Sequence, residues 1–218
     1  DNGHFLRLMD LLPYYGDLRD EANLRSLLHD IMQIPDFKCR FKGLEIEIEP
    51  FIENLGERSY PEVVRRFYAE WAYFNGTTRW GGKTPDYSMR GHLLYRLFPD
   101  AKFIHIIRDG RDVALSFTNL DWGPKDFFVS AQHWKERVRL ALDFGQTVGE
   151  ETLMELRYER LLQQPQVEFE RVMHFIGFEG DHTDVLDRLA RGLGGTLKKD
   201  NCYKWKARAS MGQVKAFE

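Results

Sequence analysis

Phe103-Ile104-His105-Ile106-Ile107-Arg108-Asp109-Gly110-Arg111-Asp112-Val113-Ala114-Leu115-Ser116 is the stretch from which the fold is read. Residues 102–107 form a near-continuous apolar run broken by His105, the pattern of a parallel strand buried on both faces. Asp109-Gly110 turns the chain, and residues 111–119 read as a helix. On the N-terminal side, Thr84 suits an N-cap and Pro85 a first helical position. A helix is expected over 86–98 with Met89, Leu93 and Leu97 facing inward, ended by the Pro99-Asp100 turn. On the C-terminal side, residues 126–144 predict a helix with Phe127, Ala131, Trp134, Val138 and Leu142 as its apolar stripe. Residues 152–157 are a second strand candidate. Residues 165–176 are a helix opened by Pro165 and closed by Gly177. Strands alternating with helices predict an α/β fold with a parallel sheet.

Upstream, residues 5–12 and 18–34 have helical spacing, with Leu24, Leu27, Leu28 and Ile31 on one face and Pro35 ending the run. Residues 44–49 alternate apolar and acidic side chains, which fits either an edge strand or an irregular linker. Residues 61–74 are a helix, with Pro61 at its start, Val63, Phe67, Trp71 and Phe74 along one face, and Gly76 at its stop. No repeat or low-complexity linker breaks the chain, and a single domain over 1–218 is expected. Both ends read as cut, at Asp1 and in the helix-like segment 211–218.

The chain has 218 residues and a formal net charge of −3. That charge argues against a general nucleic-acid binder, which needs a basic surface. No apolar run approaches the length of a membrane-spanning helix. Cys39 and Cys202, the only two cysteines, make neither a disulfide framework nor a Cys-rich zinc site. Two half-buried thiols in a reducing compartment is the expectation, with one disulfide as the alternative. His92 and His133 lack metal-ligand partners at useful spacing, and His105 reads as a core histidine.

Arg108 falls at the carboxyl end of the first strand, where open parallel sheets bind ligands. The N–H groups of the following helix point the same way and favour an anion. Ser116, two turns in, adds a hydroxyl. The planar guanidinium of an arginine suits a phosphate. Read locally, Arg108 is equally a surface arginine paired with Asp109 or Asp112.

Lys83-Thr84-Pro85, then Leu97-Phe98-Pro99-Asp100-Ala101-Lys102, then Ile107-Arg108-Asp109-Gly110-Arg111-Asp112-Val113-Ala114-Leu115-Ser116 resemble the sulfotransferases that use 3′-phosphoadenosine-5′-phosphosulfate (PAPS). The style is that of bacterial, tyrosylprotein and carbohydrate members. Leu156-Arg157-Tyr158-Glu159-Arg160-Leu161-Leu162-Gln163-Gln164-Pro165 is similar to the family's Tyr-Glu-x-Leu…Pro segment, and Phe175-Ile176-Gly177-Phe178 to its Phe-Leu-Gly stop. The match runs from about Trp80 to Gly177, with a weaker tail to Trp205. The resemblance implies a three-layer α/β fold of the P-loop-containing type, with its central parallel sheet flanked by helices. It implies that Arg108 and Ser116 bind the donor's 3′-phosphate and that Lys83 lies near the sulfuryl group and the 5′-phosphate. A cation there would stabilise charge on the leaving oxygen; otherwise Lys83 is a solvated loop lysine. Tyr158 matches a position that approaches the nucleotide, or is a core tyrosine. The loop 192–206, with Thr196, Lys198 and Lys199, would close over the nucleotide, or is surface. Trp205 reads as packing.

The family's Arg-Ser-Gly-Thr-Thr phosphosulfate loop is not in the sequence. It is expected upstream of Asp1; the alternative is its loss, which would leave the chain inactive. Asp1 and His4 fall where an early catalytic base would, or are frayed terminal residues. The implied reaction is sulfuryl transfer from PAPS, without a metal, to a small-molecule, glycan or peptidyl hydroxyl or amine, leaving adenosine 3′,5′-bisphosphate. Aromatic-rich segments 5–15, 73–80 and 120–128 are the expected acceptor surfaces. The rivals are a nucleotide kinase-like P-loop enzyme and a non-catalytic nucleotide-binding or interaction module. A cytoplasmic site is expected, or a lumenal one if an anchor lies upstream.

Overall fold

A computed structural model of the chain describes residues 4–118, 120, 121, 123–180, 185, 187, 201–215 and 217. The chain divides into two compact units, residues 1–99 and 100–218. No helix among the described residues is long and apolar enough to cross a membrane.

The first unit is helical. It comprises α1 (His4–Leu8), α2 (Leu12–Tyr15), α3 (Glu21–Gln33), α4 (Pro35–Arg40), α5 (Ile48–Glu53), α6 (Tyr60–Phe74) and α7 (Gly91–Leu97). Asp20 caps α3 by accepting from the Ala22 N–H at 2.8 Å, and Leu24, Leu27, Leu28 and Ile31 are buried as their spacing requires. Pro35 does more than end that helix. Ile34 takes an extended conformation and Pro35 opens α4 in the N-terminal position that tolerates it. Residues 44–49 are no strand: an irregular linker runs into α5 at Ile48. The core of this unit is aromatic. Phe67 of α6 is fully buried, with Phe51 at 4.6 Å between ring centroids and Phe37 at 4.9 Å. These tilted and edge-on geometries suit aromatic quadrupoles.

The helix expected over 86–98 is broken in two. A 3-10 helix covers Pro85–Met89, then α7 begins at Gly91. The Ser88 hydroxyl donates to the Pro85 carbonyl, a local bond that competes with α-helical pairing. Gly91 is also a poor helix interior residue. The break turns Met89 outward to 44 % exposure, while Leu94 and Leu97 supply the buried face.

The second unit holds the sheet. Strand β1 (Phe103–Ile107) is followed by α8 (Gly110–Thr118) and α9 (Phe127–Val148), then β2 (Leu153–Arg157), α10 (Tyr158–Gln163) and α11 (Pro165–Phe175). Short helices α12 (Trp205–Arg208) and α13 (Met211–Lys215) follow. β1 and β2 pair in parallel, with Phe103 opposite Leu153 and Ile107 opposite Arg157. The crossover through two helices is what a parallel pair requires. β1 is less covered than its apolar sequence implies: Ile104 is 38 % and Ile106 55 % exposed, against a buried Met154 and Leu156 beside them on β2. Among the described residues both strands are edges of this two-stranded sheet. Asp126 caps α9 through the Val129 N–H at 2.9 Å. Phe127, Ser130, Ala131, Ala141 and Phe144 are its buried residues. Trp134 is half-buried and has a different task, described below.

Candidate functional site

The parallel register builds the site. Ile107 faces Arg157, so the next residues, Arg108 and Tyr158, emerge side by side at the carboxyl ends of the strands. The Arg108 guanidinium lies over the Tyr158 ring at 5.0 Å, a cation–π distance. The Trp134 indole N–H, from α9, donates to the Arg108 carbonyl oxygen at 3.0 Å and fixes the backbone there. The guanidinium is one-quarter exposed. Its Nη2 donates to the Asn201 carbonyl at 3.1 Å and stands 3.8 Å from Asp112 Oδ2. Its Nε is buried with no hydrogen-bond partner among the described residues. An arginine carries five N–H donors, so an acceptor with several oxygens fits what Arg108 leaves unused. The local alternative of a pairing with Asp112 is present too, at ion-pair rather than hydrogen-bond distance.

The start of α8 is less open to an anion than its position suggests. The Asp109 N–H donates to Glu159 Oε1 at 2.7 Å, and the Arg111 N–H donates to Asp109 Oδ1 at 2.9 Å. Two backbone donors are therefore already held by carboxylates. Burial pushes the Asp109 carboxyl up, but its bonds to the Arg111 side chain and N–H outweigh this and hold it below the usual range. The same pairing raises Arg111. Around this corner the carboxylates of Asp109, Asp112 and Glu159 face the guanidiniums of Arg108 and Arg111. An anion here needs further positive charge.

Residues 201–205 cross this corner. Asn201 Nδ2 donates to the Tyr158 hydroxyl at 2.8 Å. The Trp205 ring lies 3.6 Å beneath the Arg111 guanidinium, and the Trp205 backbone N–H donates to Asp112 Oδ1 at 2.9 Å. Lys206, exposed, stands 4.9 Å from the Tyr203 ring and is a described cation beside this segment. An open hollow lined by Asp109, Arg157, Glu159, Arg160, Gln163, Gln164 and Tyr203 lies at the end of β2.

The expected site residues fall as follows. Ser116 is exposed on α8, one turn beyond Asp112 on the same face. Arg108 and Tyr158 are in contact. Lys83 belongs to the first unit and is exposed in the irregular segment before Thr84. Thr196, Lys198, Lys199 and Asp1 lie outside the described residues, as does the side chain of His4. Of the aromatic surfaces, Phe5 is buried in the first unit's core, whereas Tyr14, Tyr73, Phe74 and Phe128 present exposed rings. Trp80 is partly exposed and stacks on Tyr68 at 4.5 Å. His105 is half-buried on β1. Its buried Nδ1 has no hydrogen-bond partner among the described residues, so the core histidine expected there is not fully satisfied. Cys39 is exposed rather than half-buried, Cys202 is half-buried, and no disulfide joins them.

Asp112, Glu159, Trp134 and Asn201 were not among the expected site residues. Asp112 has a signal in sequence, a carboxylate four residues after Arg108; Glu159 lies in the Tyr-Glu-x-Leu-like segment and Asn201 in the 192–206 loop. Trp134 falls in the apolar stripe of its helix. The bonds of Glu159 and Asn201 to this corner join residues far apart in the chain.

In open α/β sheets ligands bind beyond the carboxyl ends of the strands, which is where Arg108 and Tyr158 stand side by side. A model of the sulfotransferase family matches residues 19–183, and the chain belongs to that family. It is 29 % identical over 93 residues to protein-tyrosine sulfotransferase A of Caenorhabditis elegans, covering 40 % of this chain. The match takes in about a quarter of that relative's length, 24 %. In fold it is similar to the sulfotransferase domain of the Synechococcus PCC 7002 olefin synthase, with a TM-score of 0.52 and 20 % identity over 87 % of this chain and 77 % of that one. It is also similar to the sulfotransferase domain of the curacin biosynthetic pathway, with a TM-score of 0.51 and 18 % identity over 82 % and 75 % of the two chains.

Proposed function

We propose that the protein transfers a sulfuryl group from PAPS to a hydroxyl or amine of an acceptor, releasing adenosine 3′,5′-bisphosphate. The carrying observation is Arg108. A guanidinium fixed at a strand end, with a buried Nε that nothing accepts from, suits a phosphate that takes several donors at once. Ser116, exposed on α8, supplies a hydroxyl, and Tyr158 restrains the guanidinium. Together they would hold the 3′-phosphate that distinguishes PAPS from ordinary nucleotides. Lys83 is assigned to the 5′-phosphate end, where its charge favours the leaving oxygen. Lys206 and, from the segment outside the described residues, Lys198 and Lys199 would offset the carboxylates around Arg108. Thr196 is assigned to the same closing segment. The acceptor's proton goes to a general base, for which His4 and Asp1 are the candidates.

The peptidyl class of acceptor is favoured over glycans by the likeness to a protein-tyrosine sulfotransferase. Transfer from labelled PAPS to a panel of peptidyl tyrosine, phenols, sugars and alcohols tests this. Peptidyl tyrosine should take label, and Lys83→Ala should lower kcat at least about a hundredfold, on the scale of losing one preorganised charge stabiliser. Label on none of the panel, with PAPS bound, would contradict the reading.

A further inference from the structure

Asp112 is a carboxylate in the first turn of α8 whose side chain is fully buried. Charged side chains are rarely enclosed unless something holds them. One oxygen is held: Oδ1 accepts from the Trp205 N–H at 2.9 Å. The other accepts no hydrogen bond among the described residues and stands 3.8 Å from Arg108 Nη2. A single carboxylate therefore meets both the arginine at the strand end and the backbone of the segment that crosses it.

That segment is fastened at two places. Asn201 takes a hydrogen bond from Arg108 through its carbonyl and gives one to Tyr158 through its side chain. Trp205 is tied to Asp112 by its N–H and to Arg111 by its ring. Arg111 is itself held on Asp109 at 2.6 Å. Asp112 is the member common to the arginine and to the Trp205 end.

We propose that Asp112 is a positioning residue of the donor site. It keeps the Arg108 guanidinium aimed across the strand ends and ties residue 205 to the same helix turn. The arginine and the 201–205 segment then meet the 3′-phosphate as one preassembled surface. Asp112 touches neither donor nor acceptor. An arriving phosphate takes Arg108 Nε and replaces the Asn201 carbonyl on Nη2, while the Trp205–Asp112 bond keeps the segment in place. This rests on Arg108 being the 3′-phosphate ligand.

Asp112→Asn tests it. The amide oxygen still accepts from Trp205, but the amide N–H₂ then faces the guanidinium, donor against donor, and pushes Arg108 off its aim. Calorimetry with adenosine 3′,5′-bisphosphate and AMP is expected to show the bisphosphate weakened at least about tenfold and AMP unchanged. Equal weakening of both ligands, or bisphosphate binding unchanged or tighter, overturns the proposal. Arg108→Ala separates the two claims. If it leaves the bisphosphate preference intact, the 3′-phosphate reading itself falls. If it removes the preference while Asp112→Asn behaves as the unaltered chain, only the positioning role falls. Should Asp112→Asn not fold, hydrogen exchange of the Trp205 amide in the unaltered chain decides. Protection without ligand, increased by saturating bisphosphate, is expected; exchange at the rate of an unprotected amide overturns the proposal.

Discussion

At the residue scale, Arg108 shows how a strand end presents a guanidinium with a donor to spare. Its backbone is held by Trp134, its guanidinium lies against Tyr158, and its Nε is left without a partner. A buried donor without an acceptor costs about 1–3 kcal/mol, and a ligand oxygen removes that cost. His105, three residues earlier, carries a second unmet group with a different consequence. Burial lowers its pKa below the ordinary 6.5, with Glu155 opposing and Arg157 adding to the shift. The unfolded chain therefore takes up the proton at higher pH than the folded one. Stability from this group is present above about pH 6.5 and is lost as the pH falls toward the folded value, with a slope of no more than about 1.4 kcal/mol per pH unit. Melting followed by circular dichroism between about pH 7.5 and 5 should show the loss. His105→Gln should flatten that part of the profile; an unchanged slope would mean the imidazole titrates alike in both states.

At the scale of elements, α8 and α9 are packed around Gly110. A Cβ there would stand 2.6 Å from the Trp134 ring and would also meet Phe217. Gly110→Ala should therefore destabilise the chain by about 1–3 kcal/mol, the range for overpacking a filled site. Urea unfolding measures it, and a loss below about 0.5 kcal/mol would show that the rings move aside freely. The elements around this corner were the most legible part of the sequence. The apolar run before Arg108 marked β1, and Pro165 and Gly177 bracketed α11. The break at Arg90 was not legible, because the Met89 and Leu93 spacing fits an unbroken helix and a Ser88 side-chain bond decides otherwise. The incomplete cover of Ile104 and Ile106 was hidden as well, since composition reports apolar character and not which neighbour supplies the cover.

At the scale of the whole molecule, the chain is mildly acidic, with a net charge of −3, and the carboxylates around Arg108 repeat that balance locally. On the proposed reading, binding of a highly charged donor would depend on a few placed cations rather than on a general basic surface. Arg108, Ser116 and Tyr158 are expected at one site from their order along the chain, and the structure brings Arg108 and Tyr158 into contact. The ties of Asp112 to Trp205 and of Arg108 to Asn201 could not, because each joins residues 93 positions apart, and no local pattern records such a pairing. The match to the sulfotransferase family, which runs from residue 19 to 183, takes in the first unit as well as β1 and β2. The most direct measurement is a calorimetric titration of the chain and of Arg108→Ala with adenosine 3′,5′-bisphosphate and with AMP. The unaltered chain should bind the bisphosphate at least about a hundredfold more tightly, near the upper range for charge-assisted hydrogen bonds, and the variant should bind the two alike. Equal binding of both nucleotides by the unaltered chain would contradict Arg108 as the grip on a 3′-phosphate.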